Sequence, residues 1–314
     1  MLRIVFFGNS ESLFSNRHYH ALEQIACEVI GVVDAPPAQR SSTNTQPPGL
    51  SSFVLSARQR GIPVFDPPNP QNPEFLARLG DLAPDMLLAV GYPKILKQPV
   101  LSIPRLFPVN FHASLLPAYR GKHPVFWCLR NDERWSGLTV HVMDSGIDTG
   151  DLLYQVRVLT RKNDTVPTLY DRIMDKSVKL VPRLVQDAEN GVLQCTPQPE
   201  AGNSYYSSIK EQDFRLCWSQ SARQLRRWIA TTPGECYSTA AGMRLFFQDA
   251  EVVPASGQNP PGKILALQRA AGTIAVGGGA LRLQQVRREG GSMLSFPALC
   301  KEIGLRVGDL FPCS

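Results

Sequence analysis

Residues 110–124 read NFHASLLPAYRGKHP. They continue an apolar run, FPVNF at 107–111, that reads as a buried strand, so the stretch starts where a strand ends. Asn110 and His112 stand two apart, which on a strand sends both side chains to one face. Asn offers an amide N–H to a developing oxyanion, and His moves protons near neutral pH. An isolated Asn-x-His is more often an ordinary strand end with a hydrogen-bonded histidine. The surrounding sequence has to decide between the two.

Upstream, LRIVFF (2–7, ended by Gly8), EVIGVV (28–33) and DMLLAV (85–90) read as buried strands, and GIPVF (61–65) as a turn and a further strand. Helical spacing lies between them at Tyr19, Leu22 and Ile25, around 51–60, and over 73–79. This alternation predicts an α/β fold with a doubly wound, mostly parallel sheet, whose ligands sit at the carboxyl ends of the strands. Asn110 and His112 occupy such an end.

Downstream, GLTVHVM (137–143) and LLYQVRVL (152–159) predict two more strands, joined by DSGIDTGD (144–151). A carboxylate from that turn, placed beside the histidine, would orient the imidazole and favour its protonated form. The alternative is a solvated hairpin in which an Asp caps its own turn. Residues 165–190 predict one long helix with Leu169, Ile173, Val178, Val181 and Leu184 on its apolar face. The Pro/Gly/Ser-rich stretch 196–208 then reads as a linker between a domain at 1–195 and another at 209–314. In the second domain, a helix over 219–230 carries Arg223, Arg226 and Arg227, a set more often found on a solvated face than on RNA. Short strand-like runs separated by Gly turns follow and suggest a small β-barrel.

Composition narrows the classes. A hydrophobic content of 43% with 19% charged residues excludes a disordered chain. No apolar run approaches the ~20 residues that span a bilayer, and MLRIVFFGNSES reads as a first strand rather than a signal peptide. Seven scattered cysteines without C-x-x-C suggest neither a zinc knuckle nor a disulfide framework, and point to a reducing cytoplasm. Of the net charge of +6, +5 falls in residues 205–314, which is compatible with an anionic partner such as RNA without requiring one. The dinucleotide G-x-G-x-x-G and the P-loop are absent. His112, His123 and His141 lack metal-motif spacing, and Ser114 lacks the G-x-S-x-G elbow of a serine hydrolase.

Taken together, N-x-H-x-S-L-L-P-x-Y-R-G followed about 30 residues on by G-L-T-V-H-x-M-D-x-G-I-D-T-G-D resembles the 10-formyltetrahydrofolate-dependent formyltransferases. RIVFFG, GIPVF, CWSQSARQL and PGKIL extend the resemblance to nearly the whole chain. It is nearest to the members that formylate methionyl-tRNA, and it also takes in those acting on UDP-4-amino-arabinose. The resemblance implies a parallel-sheet formyltransferase domain followed by a small OB-like barrel. It implies a catalytic triad of Asn110, His112 and Asp148. It also implies folate contacts at Lys94, Ile95, Leu96, Ser114, Leu115, Leu116, Pro117, Lys122 and Asp144. The co-substrate would be 10-formyltetrahydrofolate, with no metal. The acceptor would be initiator methionyl-tRNA or a small amine, with no part for DNA or a membrane. Four features depart from the family pattern. Ala113 replaces the usual Gly after the histidine, FGNSES (7–12) replaces F-G-T-P, and TTPGECYS (231–238) replaces Pro-x-Pro. The loop at 36–49, usually strongly basic in the bacterial tRNA enzymes, carries a single charge, Arg40. These departures keep the transfer chemistry and leave the acceptor open.

Overall fold

The computed structural model describes residues 1–36, 52–254 and 257–312. All of the weakly charged loop 36–49 except Pro36 lies outside the described residues. In chain order the elements begin β1 (Arg3–Gly8), α1 (Leu13–Glu23), β2 (Glu28–Asp34), α2 (Phe53–Gln59), β3 (Val64–Phe65), α3 (Pro73–Asp81), β4 (Met86–Val90), α4 (Gln98–Leu101) and β5 (Phe107–His112). They continue with β6 (Arg120–Gly121), α5 (Pro124–Arg130), β7 (Trp135–Val142), β8 (Leu152–Leu159), α6 (Val166–Ser177), α7 (Leu180–Glu189) and β9 (Tyr205–Tyr206). The chain divides into two compact units. Residues 1–124, 135–159 and 170–206 form the first, and residues 125–134, 160–169 and 207–314 the second. Residues 196–206, read from sequence as linker, thus group with the first unit.

The first unit is built on a seven-stranded sheet in the order β3-β2-β1-β4-β5-β7-β8. The strands from β3 to β5 are parallel, while β7 and β8 add antiparallel. Ile4, Val5, Phe6 and Phe7 of β1 are all fully buried, so both faces of the central strand are covered. That is why it reads as an unbroken apolar run rather than an alternating one. α3 starts where expected for a local reason: Asn72 accepts from the Glu74 N–H, with Pro73 in the first turn.

The long helix expected over 165–190 is two helices, α6 and α7. Pro182 has no N–H to give the carbonyl of residue 178, so the helix breaks first and restarts with the proline in its new first turn. The apolar positions Leu169, Ile173, Val181 and Leu184 are buried nonetheless.

The second unit adds α8 (Ala222–Thr231), β10 (Tyr237–Ala240), β11 (Met243–Phe247), β12 (Glu251–Val253), β13 (Ile264–Leu267), β14 (Gly272–Val276), β15 (Gly279–Leu283), β16 (Gln285–Arg288), β17 (Leu294–Ser295) and α9 (Phe296–Glu302). Its strands form two four-stranded antiparallel sheets, β10-β11-β16-β17 and β12-β15-β14-β13. They share a core that includes Trp218, Leu225, Phe247, Ile274, Phe296 and Phe311. The expected solvated arginine face of α8 holds at Arg223, which is exposed, and is corrected at Arg227. Arg227 is buried and donates to the carbonyls of Leu129 and Arg161 at 3.1 and 2.9 Å. Arg223 reaches Asp132 at 2.6 Å, and Arg226 reaches Asn163 at 2.5 Å. All three satisfy polar groups of the unit itself. No helix among the described residues is long and apolar enough to cross a membrane.

His18 in α1 gives the first unit a titratable core group. It is fully buried, with Nδ1 donating to the Phe14 carbonyl at 2.7 Å and Nε2 lying 2.9 Å from Ser177 Oγ. Burial pushes its pKa down to about 3. The unfolded chain therefore binds one more proton between about pH 6.5 and that value, so this contribution is complete above pH 6.5 and is lost as pH falls. We expect His18→Gln to remove a stability slope of up to about 1.4 kcal/mol per pH unit in that window. Denaturant titrations of both proteins at several pH values check it; parallel pH profiles would sink it.

Candidate active site

Asn110 and His112 stand at the carboxyl end of β5. β7, running antiparallel, sets His141 opposite Asn110 and Thr139 opposite His112, and β8 sets Gln155 opposite Thr139. Directly opposed residues share a face of the sheet, so these five side chains make one polar patch. Thr139 and Gln155 hold the turn after His112. Thr139 Oγ1 donates to the Ser114 carbonyl at 2.7 Å and accepts from the Leu116 N–H at 3.0 Å. Gln155 Nε2 donates to the Leu116 carbonyl at 2.7 Å.

The hydrogen bonds fix the chemistry of each ring. His112 Nε2 lies 2.8 Å from the Tyr119 carbonyl, which can only accept, so Nε2 carries the proton. Nδ1 is then the basic nitrogen of the neutral ring, and it faces Asp148 Oδ2 at 3.5 Å. That same Oδ2 accepts from the Gly121 N–H at 2.8 Å. His141 Nδ1 donates to the Val142 carbonyl at 2.9 Å, which leaves its Nε2 to accept from Asn110 Nδ2 at 3.1 Å. The Asn110 amide is thereby oriented. Its second N–H reaches Asp148 Oδ1 at 3.3 Å, a long bond that an incoming oxyanion can displace.

Electrostatics settle the protonation states. Asp148 sits with a left-handed backbone, φ +54. Burial pushes its pKa up, but His112, His141 and the Gly121 N–H outweigh burial and bring it to about 2. The carboxylate is ionised at neutral pH. Burial is also the largest influence on His112 and pushes its pKa down; Asp148 and the Tyr119 carbonyl pull it up without making good the loss. The carboxylate does favour the protonated form, as expected from the sequence, but desolvation outweighs it and the resting imidazole is neutral.

The other sequence-expected positions are spread around this centre. Lys94, Ile95 and Leu96 lie in the loop after β4; Ile95 is exposed, and the Leu96 side chain belongs to the core. Ser114 and Leu116 are buried, with Ser114 Oγ donating to the Ala118 carbonyl at 2.7 Å, and Leu115 and Pro117 are half-buried. Lys122 has an exposed side chain, and its N–H donates to the Tyr206 carbonyl at 2.8 Å. Asp144 caps its own turn, accepting from the Gly146 N–H and from Thr149 Oγ1 at 3.1 and 2.6 Å. Ala113 is buried with no left-handed backbone, so its methyl is accommodated without strain. Thr139 and Gln155 escaped the sequence reading, and His141 entered it only as a metal ligand without motif spacing; the T-V-H alternation of β7, facing N-F-H across an antiparallel pair, was the available signal.

Comparison with known proteins agrees in extent. The formyl transferase family model matches residues 2–185, and the formyl transferase C-terminal domain model matches residues 208–303. A methionyl-tRNA formyltransferase from Pseudomonas paraeruginosa is 35% identical over 302 residues, 95% of each chain. One from Geobacter metallireducens is 32% identical over 316 residues, covering 98% of this chain and 99% of that protein. Among solved structures, an N-formyltransferase from Helicobacter canadensis in complex with folinic acid and dTDP-3-aminofucose superposes with a TM-score of 0.70 at 18% identity, over 91% of this chain and all of that one. A sugar 3N-formyl transferase superposes with a TM-score of 0.66 at 16% identity, over 90% and 97% of the chains. At such identities the structures speak for the fold alone. The chain belongs to the formyl transferase family.

The balance at His112 is testable without substrate. Asp148 is the group that pulls the imidazole pKa up most. We expect Asp148→Asn to move the His112 titration midpoint still further below its ordinary value. Histidine-resolved NMR titration of the two proteins reads this directly; an upward or unchanged midpoint contradicts the assignment.

Proposed function

We propose that this formyltransferase moves a formyl group from 10-formyltetrahydrofolate to a primary amine, with Asn110, His112 and Asp148 as its catalytic residues. The observation that carries the reading is the bare Nδ1 of a neutral, buried His112 beside an ionised Asp148. The amine nitrogen attacks the formyl carbon, and the carbonyl oxygen becomes an oxyanion that takes the displaceable N–H of Asn110. The proton lost by the amine goes to His112 Nδ1, and the imidazolium so formed is stabilised by Asp148. As the bond from carbon to N10 breaks, that proton passes to N10 and His112 returns to neutral. Lys94–Leu96, Ser114–Pro117, Lys122 and Asp144 supply the surroundings of the folate, Ser114 and Leu116 through their place in the turn rather than by side-chain contact.

The acceptor we favour is the amino group of methionyl-tRNA. The relatives of that name align over both domains of this chain, and the basic excess of residues 205–314 suits a polyanion. Loop 36–49, with Arg40 as its single charge, favours a second reading, a small amine such as an amino-sugar nucleotide. Six free thiols among the described cysteines fit a cytoplasmic setting.

Three outcomes are expected. Assayed with formyl-folate, charged initiator tRNA gives formyl-methionyl product at a rate that falls steeply with salt. Turnover of a small amine that ignores salt, with no tRNA product, replaces the first acceptor with the second. Asn110→Ala lowers kcat by about 10²–10³-fold, the usual cost of an oxyanion donor, and the rate falls with decreasing pH only below pH 6.5, as His112 becomes protonated. Unchanged turnover in the variant would remove Asn110 from the mechanism.

A further inference from the structure

Both groups that hold His112 are themselves held by the stretch 196–206. Asp148 lies on one side of the ring and the Tyr119 carbonyl on the other. Each residue is left-handed without being glycine, with φ +54 at Asp148 and +62 at Tyr119. Such conformations persist only where neighbours over-determine them. At Asp148 the neighbour is Gln198. Its Nε2 donates to the Asp148 and Gly150 carbonyls at 2.8 and 2.7 Å, on the two sides of Thr149. Its Oε1 accepts from Arg120 Nη2 and Nε at 2.7 and 3.1 Å, which fixes which end of the amide faces the carbonyls. At Tyr119 the neighbours are Ser204 and Tyr206. Ser204 Oγ accepts from the Tyr119 N–H at 2.8 Å, and the Tyr206 ring stacks on the Tyr119 ring at 5.3 Å with an interplanar angle of 9°.

The backbone of the stretch is anchored at both ends. Thr196 exchanges two main-chain hydrogen bonds with Leu152, and β9 pairs in parallel with β6. The second pairing brings the Tyr206 carbonyl so close to Gly121 that a Cβ there would lie 2.2 Å from it. Gly121 is the residue whose N–H holds the Asp148 carboxylate. Thus the same stretch sets the backbone of Asp148, the donor to its carboxylate and the carbonyl partner of His112.

We propose that Gln198 and Ser204 are positioning residues for formyl transfer, Gln198 acting through Asp148 and Ser204 through Tyr119. The proposal rests on the reading of Asn110, His112 and Asp148 as the transfer centre. Neither side chain need touch substrate, and what each controls is where the proton-accepting imidazole and its carboxylate stand. A composition suited to a flexible connector here carries groups that act on the centre.

The test uses the full-length protein with Gln198→Met, which keeps length and removes every hydrogen bond, and Ser204→Ala. Three quantities are read: the His112 titration midpoint by histidine-resolved NMR, kcat against KM for formyl-folate and amine, and the thermal midpoint. His141 and Asp148 are the titratable groups that act on the His112 ring, so its midpoint reports their placement. For Gln198→Met we expect a lower His112 midpoint, in the direction of Asp148→Asn, and at least a tenfold loss of kcat with KM little changed. For Ser204→Ala we expect a smaller kcat loss of the same kind. An unmoved midpoint with unchanged kcat overturns the proposal. So does a loss of rate that merely follows a loss of thermal stability. If the natural protein transfers no formyl group, the reading of the centre fails, and the NMR midpoint still decides whether Gln198 positions Asp148.

Discussion

An ionised carboxylate fixed beside a neutral, buried imidazole is the arrangement that the first unit has to maintain. With an effective dielectric of about 20, unit charges at the separation of His112 and Asp148 attract by roughly 5 kcal/mol. In the resting state that attraction is unused, because desolvation keeps the ring neutral. It appears only once Nδ1 has taken a proton. An interaction that is weak before the reaction and strong during it lowers a barrier rather than tightening ground-state binding. The order of the two effects matters. Had Asp148 outweighed burial, His112 would rest as an imidazolium and have no lone pair to offer.

Such an arrangement needs its parts held against their own preferences. A carboxylate next to a bare nitrogen is repelled by the lone pair and would turn towards water or towards another donor. The Gly121 N–H prevents this by engaging the oxygen that faces His112. A bulky residue such as Tyr119 avoids the left-handed region, yet it is held there with its carbonyl facing Nε2. The sheet contributes the rest. Antiparallel addition of β7 to a parallel core places His141 where it can orient Asn110. β8 is antiparallel to β7 in turn, so a short acidic turn can join the two and bring Asp148 back to Asn110.

The sequence carried the fold in its strands. Runs such as Leu2–Phe7 and Asp85–Val90 are buried on both faces, so they are unambiguous, and their alternation with helices specifies a parallel sheet. It carried the reacting pair through the spacing of Asn110 and His112, and Asp148 through resemblance. Three kinds of fact were hidden. Protonation depends on the competition between burial and charge, which no local pattern contains; the reversal at His112 is an example. The break before Pro182 was readable, but the apolar face running through it concealed it. The stretch 196–206 looks like a linker because Pro, Gly and Ser favour irregular backbone, and irregular backbone can be as tightly held as a strand when side chains such as Gln198 satisfy it.

Charge is where sequence counting misleads most about the acceptor. The excess of +5 in residues 205–314 counts every arginine alike. In the structure Arg227 is buried, and Arg223, Arg244, Arg282 and Arg288 already face Asp132, Glu211, Glu251 and Glu302. A formal excess is thus not an exposed basic surface. The pairing does not exclude a polyanion either, since exposed ion pairs are worth only about 0–1 kcal/mol each and a phosphate can replace a carboxylate at little cost. Buried Arg227 differs, because its guanidinium donates to main-chain carbonyls and would lose those bonds on turning outward. Any polyanion that this unit binds must therefore draw on its exposed basic side chains, while Arg227 remains part of the scaffold that presents them.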